Sequence, residues 1–234
     1  YRLQRATIPL DERADLAPLR AVLDELTASH ADAAGNFLMQ FQALAALFAH
    51  DPDALTRAIS SRGQKDEPLG AHNIVANGWV YPKAWFEGLA ARMRGDDGAA
   101  RTAFAAAKVE LENMQAADPR AVDSLSLLAD VDAGLGKEDD AMREGLRARA
   151  ILLENPDASK MPVIGCRLAV VYAWTDQPDE AFRLLDELTR EPAGASLQFQ
   201  PTYGDLRLDP TWDPLRKDAR FDTLVGRLAP KTPR

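Results

Sequence analysis

Three stretches of the chain echo one another: "ARMRGDDGAARTAFAAAK" from Ala91 to Lys108, "AGLGKEDDAMREGLRARA" from Ala133 to Ala150, and "AWTDQPDEAFRLLDELTR" from Ala173 to Arg190. Each reads as a helix end, an acidic turn, an alanine and a second amphipathic run. Aligned on Ala100, Ala141 and Ala181, the copies recur at about 41 and 40 residues, within the range of stacked helical hairpins. At one shared distance upstream, about 12 residues, stand three more small residues, Gly88, Ala129 and Ala169. Antiparallel helices approach closely only where the crossing residues are small, because interaxial distance follows the side chains in contact. The shared offset therefore predicts hairpins packed through Gly88 and Ala100, Ala129 and Ala141, and Ala169 and Ala181.

Apolar stripes at helical spacing surround these anchors. Phe104, Ala107, Leu111 and Met114 follow Ala100; Leu125, Leu128 and Leu135 flank Ala129; Ile164, Leu168, Val171 and Tyr172 flank Ala169. A buried Leu or Phe contributes about 1.5–3 kcal/mol, and one hairpin cannot hide its whole face, so neighbours must stack. Gly95, Gly136 and the Gln177–Pro178 pair mark helix ends. The acids that follow, Asp96, Glu138 and Asp179 among them, complement the exposed N–H groups of the next helix. No breaker interrupts Ala100 to Asp118, which predicts a long helix. Between Ala148 and Pro162 the stretch "ENPDASKMP" predicts a loop. Upstream, Leu16, Leu19, Leu23 and Leu26 predict a helix capped by Asp15. Ser61 to Pro82 reads as an irregular loop, either an insertion or an adjustable element beside a binding face.

The remaining composition excludes several classes of work. A net charge of −8, with basic residues interspersed among acids, argues against binding a nucleic-acid backbone. The single cysteine, Cys166, rules out an intrachain disulfide and fits a reducing compartment. No apolar run approaches the roughly 18 residues that span a bilayer; the longest, "VIGCRLAVVYAW", carries Arg167. The chain opens at Tyr1 without methionine and reads as a processed or excised piece. A cytoplasmic location is favoured, or a periplasmic one if a transmembrane segment lies elsewhere.

The small residue, the turn and the second-helix alanine resemble the tetratricopeptide repeat, and Phe104, Ala107, Ala148 and Tyr172 match its aromatic and small positions. The likeness covers 81–192 and extends, in weaker form, to 37–61, where Gln42 breaks the small-residue rule. Its usual period is about 34 residues; the period here is longer, Asp132 stands where an aromatic is usual, and Gly145 replaces another. "WVYPKAWFEGLAARMRGD", "DAGLGKEDDAMREG" and "YGDLRLDPTWDPLRKDARFDTLV" look like the C-terminal repeat regions of multidomain bacterial signalling proteins. The resemblance implies an all-α, right-handed superhelix of about four hairpins in one domain, 1–234. It divides into an N-terminal helix (1–34), a degenerate repeat (35–62), a loop (63–80), repeats at 81–118, 119–158 and 159–192, and a cap (193–230). In the cap, Trp212 and Leu215 cover the bare end of the stack, and the tail beyond it frays.

The resemblance also implies a concave groove lined by the first helix of each hairpin. The inward-facing candidates are Trp85, Leu89, Arg92, Asp123, Ser126, Asp130, Val170 and Trp174, with Asn36, Met39 and Cys166 beside them. Aromatic anchors mixed with charges suit a peptide, or an attached effector domain, without catalysis. The plainer readings are inter-repeat packing for Trp85 and Trp174, a solvated face for Asp123 and Asp130, and an intrahelical ion pair or simple exposure for Arg92. The alternative function is a small-ligand sensor with a closed pocket regulating an attached enzyme or transcription factor. Self-association is open to either. No metal or cofactor is expected. His30, His50 and His72 lack zinc-ligand spacing, Cys166 lacks the setting of a nucleophile, and "DVDAG" at Asp130 to Gly134 fails the calcium-loop pattern.

Overall fold

The computed structural model describes residues 2–28, 35–60, 73–76, 79–190 and 201–230, and these are predominantly α-helical. Helix α1 (Arg2–Arg13) packs on α2 (Ala17–Ala28), α3 (Gly35–Phe48) on α4 (Pro52–Ser60), and α5 (Lys83–Met93) on α6 (Asp97–Ala117). The same pairing joins α7 (Val122–Gly134) to α8 (Glu138–Glu154) and α9 (Met161–Trp174) to α10 (Pro178–Leu188). Because α6 also packs on α7, and α8 on α9, the hairpins stack. Helix α11 (Tyr203–Leu208), a 3₁₀ turn (Pro210–Leu215) and α12 (Ala219–Leu228) follow. No helix among the described residues is long and apolar enough to cross a membrane.

Four hairpin turns are built alike. His50, Gly95, Gly136 and Asp176 take φ of 53°, 71°, 74° and 55°. The next residue donates its N–H five residues back: Asp51 to Ala46, Asp96 to Ala91, Lys137 to Asp132 and Gln177 to Tyr172, at 2.8–3.0 Å. This left-handed cap satisfies carbonyls that the helix end leaves open, and glycine at 95 and 136 adopts it without steric cost. Asp51 and Asp96 then cap the following helix, accepting from the N–H of Ala54 at 2.8 Å and of Ala99 at 2.9 Å. The turn thus repeats one hairpin further upstream than the three sequence echoes.

Packing uses the small residues. Ala100, Ala129, Ala141, Ala169 and Ala181 are all buried. The Phe104 ring fills a slot between Gly88 on α5 and Gly134 on α7; a Cβ would stand 2.6 Å from its Cδ1 at the first and 2.8 Å from its Cε2 at the second. One side chain of α6 therefore fixes the approach of two neighbouring helices. At Gly145 a Cβ would lie 2.9 Å from Leu168 Cδ1, so the glycine standing at an expected aromatic position makes room for a side chain of α9. The unbroken run after Ala100 forms a helix of 21 residues, and α8 ends at Glu154 before a loop.

Two expectations need correction. The N-terminal segment holds two helices rather than one, because Leu3, Ala6, Thr7 and Leu10 form a buried stripe at helical spacing despite Pro9. The described residues are mostly helical, consistent with an all-α fold, but the expected loop is not irregular throughout. Within the expected loop, β1 (Asn73–Ala76) and β2 (Trp79–Pro82) pair antiparallel, with Ile74 opposite Tyr81 and Ala76 opposite Trp79. The sequence cause is a pair of strand-forming runs on either side of Asn77-Gly78, a strong hairpin signal. The rest of that loop, His30, His72, the start of the expected cap at 193–200, the tail at 231–234 and the side chain of Asn36 lie outside the described residues.

Candidate functional site

Side chains of α5, α7 and α9 converge in the interior, and the centre of that contact is charged. Arg167, midway along α9, is fully buried. Its Nη1 pairs with Asp130 Oδ2 on α7, and its Nη2 donates to Tyr81 Oη on β2 at 2.9 Å. The guanidinium lies 5.2 Å from the Tyr81 ring centre and 5.9 Å from that of Trp85. Tyr81, Trp85 and Phe86 pack with centroids 4.8–5.6 Å apart. Removing two ions from water costs several kcal/mol each, and the phenol oxygen and ring faces help to offset that. Burial pushes the Asp130 carboxyl up to about 7 against the opposing pull of Arg167. Asp130 Oδ1 has no hydrogen-bond partner among the described residues.

Two further carboxyls enter with the C-terminal segment. Burial, reinforced by Asp209, raises Asp205 well above its ordinary value, although Trp212 Nε1 donates to Asp205 Oδ2 at 3.0 Å. Asp209 is pushed up to about 6, burial outweighing the hydrogen bond it accepts from the Thr211 N–H at 2.8 Å. Burial first, then Asp205 and Asp209, push the Cys166 thiol well up, which disfavours the thiolate that nucleophilic chemistry needs.

The segment is seated largely through its carbonyl groups. Trp174 Nε1 donates to the Thr211 carbonyl at 2.9 Å, and His50 Nε2 donates to that of Leu208 at 2.8 Å. Arg216 donates to the carbonyls of Leu206 and Asp209 at 3.0 and 2.9 Å, bracing the segment internally. Helix α11 also lies against α1, where a Cβ on Gly204 would stand 2.7 Å from the Leu10 carbonyl carbon. Leu206, Trp212 and Leu215 are buried.

An opening of about 230 Å³ remains between α5, the end of α9 and the 3₁₀ turn. Leu89, Arg92, Met93, Trp174, Thr211 and Asp213 contribute to its walls. The Arg92 guanidinium carbon sits 3.9 Å above the Trp174 ring centre. Arg92 makes no ion pair and no side-chain hydrogen bond among the described residues. Burial lowers its pKa while Asp97 and Asp213 raise it; guanidinium stays charged regardless. The buried Thr211 hydroxyl also has no partner among the described residues. A wider cleft, about 780 Å³, separates α2 from α3 and α4, but its walls are rich in alanine and hold no aromatic ring. Size alone does not make it the better site; the smaller opening concentrates the recognition chemistry.

The sequence candidates divide accordingly. Leu89, Arg92 and Trp174 meet at the opening. Trp85, Ser126, Asp130 and Val170 are buried in the interior, as are Met39 and Cys166. Ser126 bonds back to the Asp123 carbonyl at 3.0 Å, and Asp123 is held by Lys160 at 2.8 Å. Gly88, Ala100, Ala129, Ala141, Ala169 and Ala181 belong to helix packing. Sequence reasoning missed Tyr81 and Arg167 as functional neighbours of Asp130. The available signal was an arginine inside an otherwise apolar helix, which demands a buried partner. No family model matches this chain, and neither a curated protein nor a solved structure matches it.

Proposed function

We propose that the chain is a non-catalytic interaction module of the tetratricopeptide type, a superhelix whose inner face holds a stretch of polypeptide. The reading rests above all on the donation from Trp174 Nε1 to the Thr211 carbonyl. A first-helix side chain there grips main chain rather than a particular side chain. His50 does the same at Leu208, and buried Trp212 supplies an aromatic anchor. The segment held is this chain's own, and a partner or attached effector would present the same kind of ligand in trans. The periodic helix caps support the repeat assignment.

The test keeps every residue present. A protease site introduced between 190 and 201 allows the folded protein to be nicked, and a labelled peptide spanning 201–216 is then added. Fluorescence anisotropy should report exchange of the peptide onto the inner face. Trp174→Phe keeps the ring, removes the donor and should weaken the peptide. A nicked protein that never exchanges short of unfolding would make the segment ordinary core and remove the proposal.

A further inference from the structure

Among the described residues, Arg92 faces the seated segment without an ion pair or a side-chain hydrogen bond to it. Its guanidinium carbon lies 3.9 Å above the Trp174 ring centre, and its N–H groups make no hydrogen bond among the described residues. Guanidinium with five donors and no acceptor is matched best by a coplanar carboxylate. A second charge sits across the opening: Asp213, whose Oδ1 accepts from Arg216 Nε at 2.7 Å while Oδ2 carries no bond among the described residues. Apolar wall is supplied by Leu89, Met93 and Pro214. The volume of 230 Å³ has room for roughly seven waters, below the range of drug-sized sites.

A guanidinium that donates to a carboxylate on one side, a carboxylate that accepts from an ammonium on the other and apolar wall between them define the ligand. We propose that this pocket binds a free α-amino acid with an apolar side chain, its carboxylate on the Arg92 edge and its ammonium toward Asp213. A phosphate dianion fits poorly, since one arginine would face it beside Asp97 and Asp213. The occupant touches α5 and α9 on one side and the 3₁₀ turn on the other, so it would clamp the C-terminal segment in its seat. The inference deepens the interaction-module reading and rests on the seating of 210–214. Ligand present only when the segment is docked stabilises the docked form by mass action.

Titration calorimetry on the intact chain tests it with L-leucine, L-leucinamide, N-acetyl-L-leucine and 3-methylbutylamine. L-leucine should bind, and losing either charged group should weaken binding about tenfold or more. Arg92→Gln should abolish binding while its circular dichroism and melting point stay near those of the parent; Arg92→Lys should restore part of it. Silence from L-leucine up to about 10 mM overturns the proposal. Equal binding of leucinamide, or undiminished binding by a folded Arg92→Gln, overturns it too. Equal binding of N-acetyl-leucine overturns the amino-acid assignment and points to a peptide's terminal carboxylate instead. These results are independent of peptide exchange in the nicked chain, which still reports whether the inner face holds polypeptide. If both proposals hold, L-leucine slows that exchange in the parent and not in Arg92→Gln.

Discussion

Replacing Arg167 with leucine should be among the most damaging single changes in this chain. The side chain is fully buried, and its removal takes the ion partner from the Asp130 carboxyl and a hydrogen bond from the Tyr81 phenol oxygen. Breaking a buried pair from one side costs about 3–5 kcal/mol, because the other charge stays buried without compensation. A domain of this size loses about 2–4 °C of melting temperature per kcal/mol, so the midpoint should fall by roughly 6–20 °C. Asp130 can lower the damage by taking a proton, since burial already holds it near 7. The loss should therefore shrink toward acid pH. Replacing both residues with leucine should recover most of it, since an apolar pair of similar volume is often neutral or better. Thermal denaturation of the two single variants and the double variant gives the coupling through a double-mutant cycle. A midpoint within about 2 °C of the parent for Arg167→Leu, or a double variant no better than the single one, would refute the reasoning.

Two further outcomes follow from packing and charge. Gly88→Ala should destabilise by about 1–2 kcal/mol net, the overpacking cost exceeding the gain in helix propensity, because Gly134 pins the Phe104 ring from the other side. With Phe104→Leu in place the same change should turn stabilising, and urea unfolding reads the sign in both backgrounds. Asp130 and Asp209 titrate near 7 and 6 in the folded chain and near 4 when unfolded. The folded state binds more protons between those values, so stability is full below about pH 4 for these groups and is lost as pH rises through 6 to 7. The urea midpoint should thus be higher at about pH 5.5 than at about pH 8, and Asp209→Asn should flatten the difference. Exposed carboxyls with depressed values, such as Asp53 beside Arg94, titrate below this window and leave it unaffected. A midpoint that climbs from pH 5.5 to pH 8 would count against the buried-acid account.

The stack was legible because its signals are local. Small residues, turn glycines and apolar stripes are set within one hairpin, and Gly88, Gly95, Ala100 and Phe104 suffice to draw α5 and α6. The β-hairpin is equally local, marked by Asn77-Gly78 between strand formers, but it sits inside a polar, glycine-bearing stretch whose length suits a loop. What the chain does not write locally is which surface is covered. Trp85, Asp130 and Val170 fit an open groove by the repeat resemblance, yet their exposure depends on residues far along the chain. Thr211 meets Trp174 across 37 positions and Tyr81 meets Arg167 across 86. Periodicity assigns a face to a side chain and says nothing about which distant segment lies on it.

The energetics of that segment explain why main-chain hydrogen bonds matter there. Leu206, Trp212 and Leu215 are its buried apolar anchors, each contributing about 1.5–3 kcal/mol. The interior adds little, since Asp205 and Asp209 bring carboxyls that burial disfavours in their charged form. Directed contacts add to these anchors: Trp174 to Thr211, His50 to Leu208 and the bracing by Arg216. Leu206, Trp212 and Leu215 belong to the continuous hydrophobic core, and each lost donor should loosen the segment by a measurable step. Arg92, stacked on the same Trp174 whose N–H holds Thr211, stands where a small occupant could tighten that grip without touching the hairpin stack.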